Sequence, residues 1–139
     1  MKVLIPLSFL LTFLCLPQSQ GLNDQHLGRW EGRNKGKIGF LILDEEGYAT
    51  IQANGRTIGG GEFLAGNKAA YMTFEINYDT EPHEIDFVIQ DIGDDSEIGR
   101  LAGIFEYLDK NTIRLALGFD GIRPEAFSGD KDIVFERAR

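Results

Sequence analysis

The feature that most constrains this chain is a repeated alternation of apolar and polar residues in short segments. Segment 71–78 carries apolar side chains at every second position: Met72, Phe74, Ile76 and Tyr78. Segment 83–90 repeats the pattern with Ile85, Phe87 and Ile89. A period of two residues is typical of β-strands with one buried face, and no helical period is found after residue 21. The pattern therefore predicts an all-β protein.

Turn-forming residues separate these segments along the chain. Asn54-Gly55 is a strong two-residue hairpin signal, and Asp109-Lys110-Asn111 marks another turn. Eight to ten strands follow one another, and no connection between them is long enough for a helical crossover. We therefore expect an antiparallel up-and-down β-barrel, which leaves no free strand edges because it closes on itself. A two-sheet sandwich is the alternative architecture.

Two further segments carry expectations about which side chains share a face. Segment 37–43 places three apolar residues on one side: Ile38, Phe40 and Ile42. Segment 112–119 places four on one side: Ile113, Leu115, Leu117 and Phe119. Arg100 and Arg114 face away from the large apolar residues of their strands, so we expect them on the outer wall among acidic residues.

Residues 1–21 have the features of a secretory signal peptide. Lys2 provides a positive start, residues 3–16 are almost wholly apolar, and Ser19-Gln20-Gly21 places small residues where signal peptidase cleaves. We expect cleavage near Gly21, one domain over residues 22–139, and a secreted or periplasmic, that is extracytoplasmic, location.

Two alternatives for the leader are weaker. A membrane anchor is disfavoured because the apolar run is short and contains Pro6. A lipid anchor on Cys15 is disfavoured because Leu14 is not the small residue that a lipobox requires. Cys15 is also the only cysteine, so after cleavage the chain can form neither a disulfide nor a cysteine-ligated metal site.

The charge of the chain narrows the range of partners. The formal net charge is −8 at pH 7, and such an acidic surface disfavours nucleic acid and anionic membranes. We expect no nucleic-acid partner and no membrane insertion after the signal peptide is removed. The identity of any protein partner is left open.

One end of the predicted barrel is marked by the single tryptophan and a late arginine. Trp30 follows Gly28 in the first strand-like segment, and Arg137 follows Phe135 in the last one. The Arg137 guanidinium can stack over the Trp30 indole and seal that end. We therefore predict that Trp30 and Arg137 form a structural pair, and a ligand-stacking role for Trp30 is the alternative.

These residues and three later motifs resemble the lipocalin-like (calycin) superfamily, whose members open on Gly-x-Trp and pack a late Arg against the Trp. The later motifs are Pro82 to Asp86, Gly103-Ile104-Phe105 and Arg123-Pro124-Glu125-Ala126-Phe127. In this order and spacing they resemble a small secreted bacterial lipocalin-like family of unknown function that is abundant in planctomycetes. The resemblance implies a lipocalin-like barrel over nearly all of the chain after residue 21, with no established reaction or ligand.

The loop that holds Arg123 and Phe127 is the favoured ligand-binding position, because we expect it at an opening of the barrel. Together with Trp30, these residues could bind a small apolar or amphipathic molecule, since a barrel of about eight strands is wide enough to hold one ligand. The alternative is a filled barrel that acts as a structural or protein-interaction domain through its acidic surface and loops. The many aromatic side chains favour a filled interior.

No set of residues indicates an enzyme, and we expect no catalytic residues, no cofactor and no metal. Two of the three carboxylates Glu75, Glu84 and Asp86 could act as an acid–base pair, but on a solvent-exposed outer face both would be ionised. His26 and His83 are the only histidines, and they lack metal-ligand spacing. One acidic loop offers carboxylates of the kind that calcium prefers: Asp91, Asp94, Asp95 and Glu97. Its spacing differs from that of an EF-hand, so a solvated turn is expected and calcium binding is left open.

Overall fold

The computed structural model describes residues 24–33, 38–129 and 132–139, and the predicted signal peptide at residues 1–21 lies outside the described residues. The strands are β1 (Gly28–Gly32), β2 (Ile38–Leu43), β3 (Ala49–Ala53), β4 (Arg56–Gly59), β5 (Phe63–Ala65), β6 (Lys68–Asn77), β7 (His83–Asp91), β8 (Glu97–Asp109), β9 (Thr112–Gly118) and β10 (Ile133–Arg137). Within this part of the chain, no helix has the length and apolar character needed to cross a membrane. The predicted all-β class is confirmed.

The ten strands form one antiparallel sheet in the order β4-β3-β2-β1-β10-β9-β8-β7-β6-β5. Each strand lies beside its sequence neighbour, except that β4 and β5 stand at the two ends of the sheet and β1 pairs with β10. In that last pair Trp30 lies opposite Arg137. The predicted antiparallel up-and-down barrel is confirmed, and the sandwich alternative is wrong.

The sheet curls until its two ends nearly meet. Tyr48, just before β3, forms an antiparallel bridge with Thr73 of β6. Beside it, the amide of Met72 donates a hydrogen bond to the carbonyl of Gly60, with the two atoms 3.0 Å apart. These bonds nearly close the barrel and leave only the short edges of β4 and β5 outside the ladder, which limits edge-to-edge association.

Connections between successive strands alternate between the two ends of the barrel because neighbouring strands are antiparallel. The N-terminal end holds residues 24–27, the residues after β10, and the turns that follow β2, β4, β6 and β8. The opposite end holds the connections that follow β1, β3, β5, β7 and β9. Each end therefore brings together residues that are far apart in the sequence.

Buried apolar side chains from eight strands fill the barrel: Trp30, Leu41, Leu43, Ala49, Ile51, Met72, Ile85, Phe87, Phe105, Ile113, Leu115, Leu117 and Phe135. The inward faces predicted for segments 71–78 and 83–90 are confirmed, because their alternating apolar residues either belong to this core or pack against it. Burying each large side chain stabilises the fold by about 1.5–3 kcal/mol.

In β2 the core takes the face opposite to the one singled out from the sequence. Phe40 and Ile42 share a face, as expected, but Leu41 and Leu43 are the side chains buried in the core. On the other face, the Arg29 guanidinium lies 4.2 Å from the centroid of the Phe40 ring. Because β2 is apolar on both faces, alternation alone did not identify its inner face.

Strand β9 ends one residue before the Phe119 that the alternating pattern placed on its apolar face. The Gly121 amide donates a hydrogen bond to the Gly118 carbonyl at 3.3 Å. A Cβ at Gly118 would lie 1.7 Å from the Ile122 carbonyl oxygen, so only glycine fits this turn. The turn carries Phe119 out of the barrel, where it is 73% exposed, and the expected grouping of Phe119 with the core residues of β9 is wrong.

We predict that Trp30→Ala lowers the free energy of unfolding by about 3–5 kcal/mol, because it removes a fully buried aromatic side chain from the core. Urea denaturation followed by far-UV circular dichroism measures this change. Arg29→Ala on the same strand is the control, and its effect should stay within about 0.5 kcal/mol because the residue is exposed. An unchanged midpoint for Trp30→Ala would show that the barrel does not depend on this residue.

Candidate functional site

Arg137 stacks on Trp30 at the N-terminal end of the barrel. The guanidinium carbon lies 4.2 Å from the centroid of the indole, and Trp30 is fully buried. Gly28 makes room for the stack, because a Cβ at this position would lie 3.2 Å from Nη1 of Arg137. Its φ of +127° also favours glycine.

The stacked pair holds the segment that precedes β1. Three consecutive carbonyl groups accept hydrogen bonds: Gln25 and Leu27 from Arg137, each at 2.6 Å, and His26 from the Trp30 indole, at 2.9 Å. Residues 24–27, here termed the plug, therefore lie across the N-terminal end of the barrel. The bonds satisfy backbone groups that no strand partner reaches.

His26 extends from the plug into a cluster of aromatic rings. Its Nδ1 lies 3.1 Å from the Tyr78 hydroxyl, and that hydroxyl lies 2.8 Å from the hydroxyl of Tyr107. The His26 ring also packs on Phe74, with 5.4 Å between the ring centroids, and His83 packs on both tyrosines. The sequence analysis did not find this cluster, because its members meet only when the barrel closes.

Burial controls ionisation within the cluster. It lowers the pKa of His26, and the nearby Asp24 carboxylate offsets only part of this effect. Burial also raises the pKa of Tyr78, with the hydrogen bond from Tyr107 opposing it in part. For Tyr107, burial and the hydrogen bond to Tyr78 both raise the pKa. His26, Tyr78 and Tyr107 are therefore uncharged near neutral pH.

The barrel interior beneath the plug is almost completely occupied. The cavity there has a volume of about 10 Å³, and its lining is mostly apolar: His26, Trp30, Leu41, Leu43, Ile76, Ile85, Phe105, Tyr107, Ile113 and Leu115. Sites for small organic molecules usually have volumes of about 300–1,000 Å³. This cavity has space for about one water molecule.

Arg123 lies on the outer wall of the barrel, not at the opening where the sequence analysis expected it. Its Nε is 2.8 Å from a carboxylate oxygen of Glu84, and its Nη1 is 2.7 Å from Oδ1 of Asp86. The same Nη1 donates a hydrogen bond to the Gly103 carbonyl at 2.9 Å. Arg123 thus fastens the connection between β9 and β10 to strands β7 and β8.

The three residues predicted to bind a ligand are not brought together. Phe127 lies under the guanidinium of Arg114, whose Cζ is 4.3 Å from the ring centroid, and Arg114 pairs with Glu106. Trp30 is in the core, whereas Arg123 and Phe127 both contact groups on the outer wall. Their ligand-binding role stays a prediction, without a shared pocket to support it.

Arg100 and Arg123 bind the carboxylates considered earlier as an acid–base pair. Arg100 contacts Glu75 at 3.1 Å and Asp86 at 2.8 Å. Burial acts to raise the pKa of Asp86, but hydrogen bonds and charge from Arg123 and Arg100 outweigh it and hold the pKa below its usual value. Asp86 is therefore ionised near neutral pH, which suits a structural anchor and does not suit a general acid. The expected outer-wall positions of Arg100 and Arg114 among acidic residues are confirmed.

Carboxylates of the acidic loop accept hydrogen bonds from the loop backbone and from Tyr71 of β6. Asp91 accepts a hydrogen bond from the Gly93 amide at 2.7 Å, and Asp94 accepts one from the Ser96 amide at 3.0 Å. Asp95 accepts one from the Tyr71 hydroxyl. Within the described ranges, no group of three or more histidine, cysteine or acidic side chains is arranged to hold a metal ion.

Most of the strongly exposed large apolar side chains lie at the end of the barrel opposite the plug. They are Leu64, Ile92, Ile98, Phe119 and Ile122, here termed the apolar rim. The remaining exposed large apolar residue of the described chain, Leu108, lies next to the β8–β9 turn at the N-terminal end. Isolated exposed apolar residues are common, but the shared position of these five at one end of the barrel makes that end the candidate contact surface.

The candidate residues thus occupy three places: the plug with its stack, the ion pairs of the outer wall, and the apolar rim. No protein-family model, curated protein or solved structure matches this chain. The contacts and charges of these three places therefore carry the functional argument.

We predict that Asp86→Asn lowers the free energy of unfolding by about 1–3 kcal/mol at pH 7, because both arginines lose a charged partner. The native pKa of Asp86 is depressed, so its contribution is complete above the unfolded pKa of about 3.9 and is lost as pH falls through the lower native value. The difference between wild type and variant should therefore shrink below about pH 4.

Urea unfolding at pH 7 and pH 3 measures this difference. Glu75→Gln is the matched control, because its side chain is 65% exposed and an exposed ion pair contributes at most about 1 kcal/mol. A difference that is equal at both pH values would contradict the structural role of the Asp86 carboxylate.

Proposed function

We propose that this protein is a non-enzymatic, extracytoplasmic, lipocalin-like barrel that acts as a protein-interaction domain through its apolar rim and acidic surface. The observation that carries the proposal is the filled interior, in which the cavity beneath the plug measures about 10 Å³. This volume is far below the roughly 300–1,000 Å³ of usual small-molecule sites, which favours recognition at the outer surface of the barrel. The nearly closed ten-strand barrel and the Trp30–Arg137 stack support the lipocalin-like resemblance.

The apolar rim has the properties expected of a contact surface. Phe119 and Ile122 are 73% and 69% exposed. The turn that carries them is held by two hydrogen bonds, one from Gly121 to Gly118 and one from the Ile122 amide to the Asp120 carboxylate. A partner would therefore meet apolar side chains already held in position, which reduces the entropy lost on binding.

The charge of the chain indicates the kind of partner. With a formal net charge of −8, the protein attracts basic surfaces and repels a second copy of itself. Asp120 and Glu125, which are exposed on the same connection as Phe119, place negative charge beside the apolar side chains. We propose a protein partner with an apolar pocket surrounded by basic residues.

Binding of a small apolar or amphipathic molecule within the barrel is the second candidate function. The mostly apolar lining of the cavity beneath the plug favours it, but the interior would have to expand around the molecule. Native mass spectrometry of protein secreted by its own host distinguishes the two candidates, because it reports either a bound small molecule or a bound protein.

We predict that the double variant Phe119→Ser/Ile122→Ser weakens partner binding at least about 10-fold, because the few residues that carry most of the binding energy of an interface cost about 2 kcal/mol or more when they are truncated. The measurement is quantitative crosslinking followed by native mass spectrometry in the host's secreted fraction. Leu108→Ser is the matched control, since it removes an exposed apolar side chain from the other end. Equal loss in both variants, or a small molecule bound in place of a protein, would contradict the proposal.

A further inference from the structure

The plug is attached to the barrel mainly through its backbone. Arg137 and the Trp30 indole donate hydrogen bonds to its carbonyl groups. Beside these bonds, the Ala138 amide donates a hydrogen bond to the carbonyl of Arg29 in β1. His26 is the plug residue that packs into the aromatic cluster, against Phe74 and Tyr78. Its side chain is therefore the plug's chief contact with the interior of the N-terminal end.

We propose that residues 24–27 form a releasable plug, and that protonation of His26 displaces it and opens the N-terminal end of the barrel under mildly acidic conditions. This inference goes beyond the proposed interaction function and does not depend on it, because the apolar rim lies at the opposite end. The device would make the exposure of Trp30 and of the aromatic cluster at this end depend on pH.

The described barrel groups that contact the His26 ring are Phe74 and Tyr78, which carry no negative charge. The hydroxyl of Tyr78, the residue directly after β6, bonds to the hydroxyl of Tyr107 in β8, and His83 of β7 packs on both tyrosines. The charged group from β10 is Arg137, a cation that binds the carbonyl of the residue just before His26. Partial burial of the ring disfavours the imidazolium in the closed state.

Asp24 is the carboxylate that acts on His26, and it does not hold the plug to the barrel. It raises the pKa of His26, but burial has the larger effect and leaves the pKa below its usual value. Because Asp24 belongs to the plug, it moves together with His26 and keeps stabilising the imidazolium after release. Burial, in contrast, penalises the imidazolium only while the plug is closed.

The direction of the pH dependence follows from this difference. In the released plug burial no longer acts on the imidazole, so its pKa is at least the ordinary value of about 6.5, and in the closed plug the pKa is lower. Closure is therefore most favourable above about pH 6.5, and it weakens as pH falls through that value towards the lower pKa of the closed state. Both tyrosines have raised pKa values and stay neutral throughout this range.

Trp30 reports directly on the plug because it is the only tryptophan in the chain and its indole donates to the His26 carbonyl. Fluorescence of the folded wild-type protein should shift to longer wavelength between pH 7.5 and 4.5, with a midpoint below about pH 6.5. Far-UV circular dichroism should stay constant, because the barrel remains folded. Acrylamide quenching of the indole should rise with the same midpoint.

Variants identify the titrating group. His26→Phe and His26→Gln stay uncharged at every pH, so both should abolish the fluorescence transition. Two variants of different size and polarity are used so that a packing change peculiar to one of them is not mistaken for loss of the titrating group. Asp24→Asn should move the midpoint to lower pH, because it removes the charge that favours the imidazolium. His83→Gln is the matched control and should keep the transition.

Three results would overturn the proposal. The first is a wild-type protein whose Trp30 fluorescence and quenching do not change over this pH range. The second is a transition that persists in both His26 variants or disappears in His83→Gln. The third is loss of far-UV circular dichroism with the same midpoint, which would show unfolding of the whole barrel.

Discussion

The stack of Arg137 on Trp30 is the interaction on which the closed form of this barrel depends. It joins β1 to β10, the strands that bring the two ends of the chain together, and it covers a buried indole with a cation whose hydrogen-bond donors remain available. Those donors reach carbonyl groups of the plug and of Lys110 in the turn after β8. Guanidinium suits this position because it can stack on a ring and donate in its own plane simultaneously, which the ammonium group of lysine cannot do.

The sequence predicts the fold well where a strand has one apolar and one polar face. Residues 72–78 of β6 and the turn after it, and residues 84–87 of β7, alternate between apolar and polar side chains, so their inner faces follow directly from the pattern. Strand β2 carries apolar side chains on both faces, and its outer Phe40 packs under Arg29. Alternation alone therefore cannot identify the inner face of this strand. Strand β9 ends where the backbone of Gly118 fits closely against the backbone of Ile122. Such a backbone contact leaves no pattern in the sequence except the glycine itself.

The outer wall contained a signal that the sequence analysis did not use. Residues 101–105 form a continuous apolar run, which is typical of a strand buried on both faces. Ile104 and Ala102, on the face away from the core, are indeed buried, and Arg123 binds Gly103 between them. The run indicates that something covers this face. The sequence could not show that the β9–β10 connection covers it, because the ion pairs with Glu84 and Asp86 join residues far apart in the chain.

Ion pairs on the outside of the barrel occupy several of its arginines. Arg29, Arg33, Arg100, Arg114 and Arg123 each lie in an ion pair within the barrel wall. Their positive charges are therefore largely neutralised by neighbouring carboxylates. Other acidic side chains, such as Glu45, Glu46 and Glu62, are exposed on turns. In the complex proposed above, these exposed carboxylates would favour a basic partner surface at long range, and the apolar rim would supply the close contact.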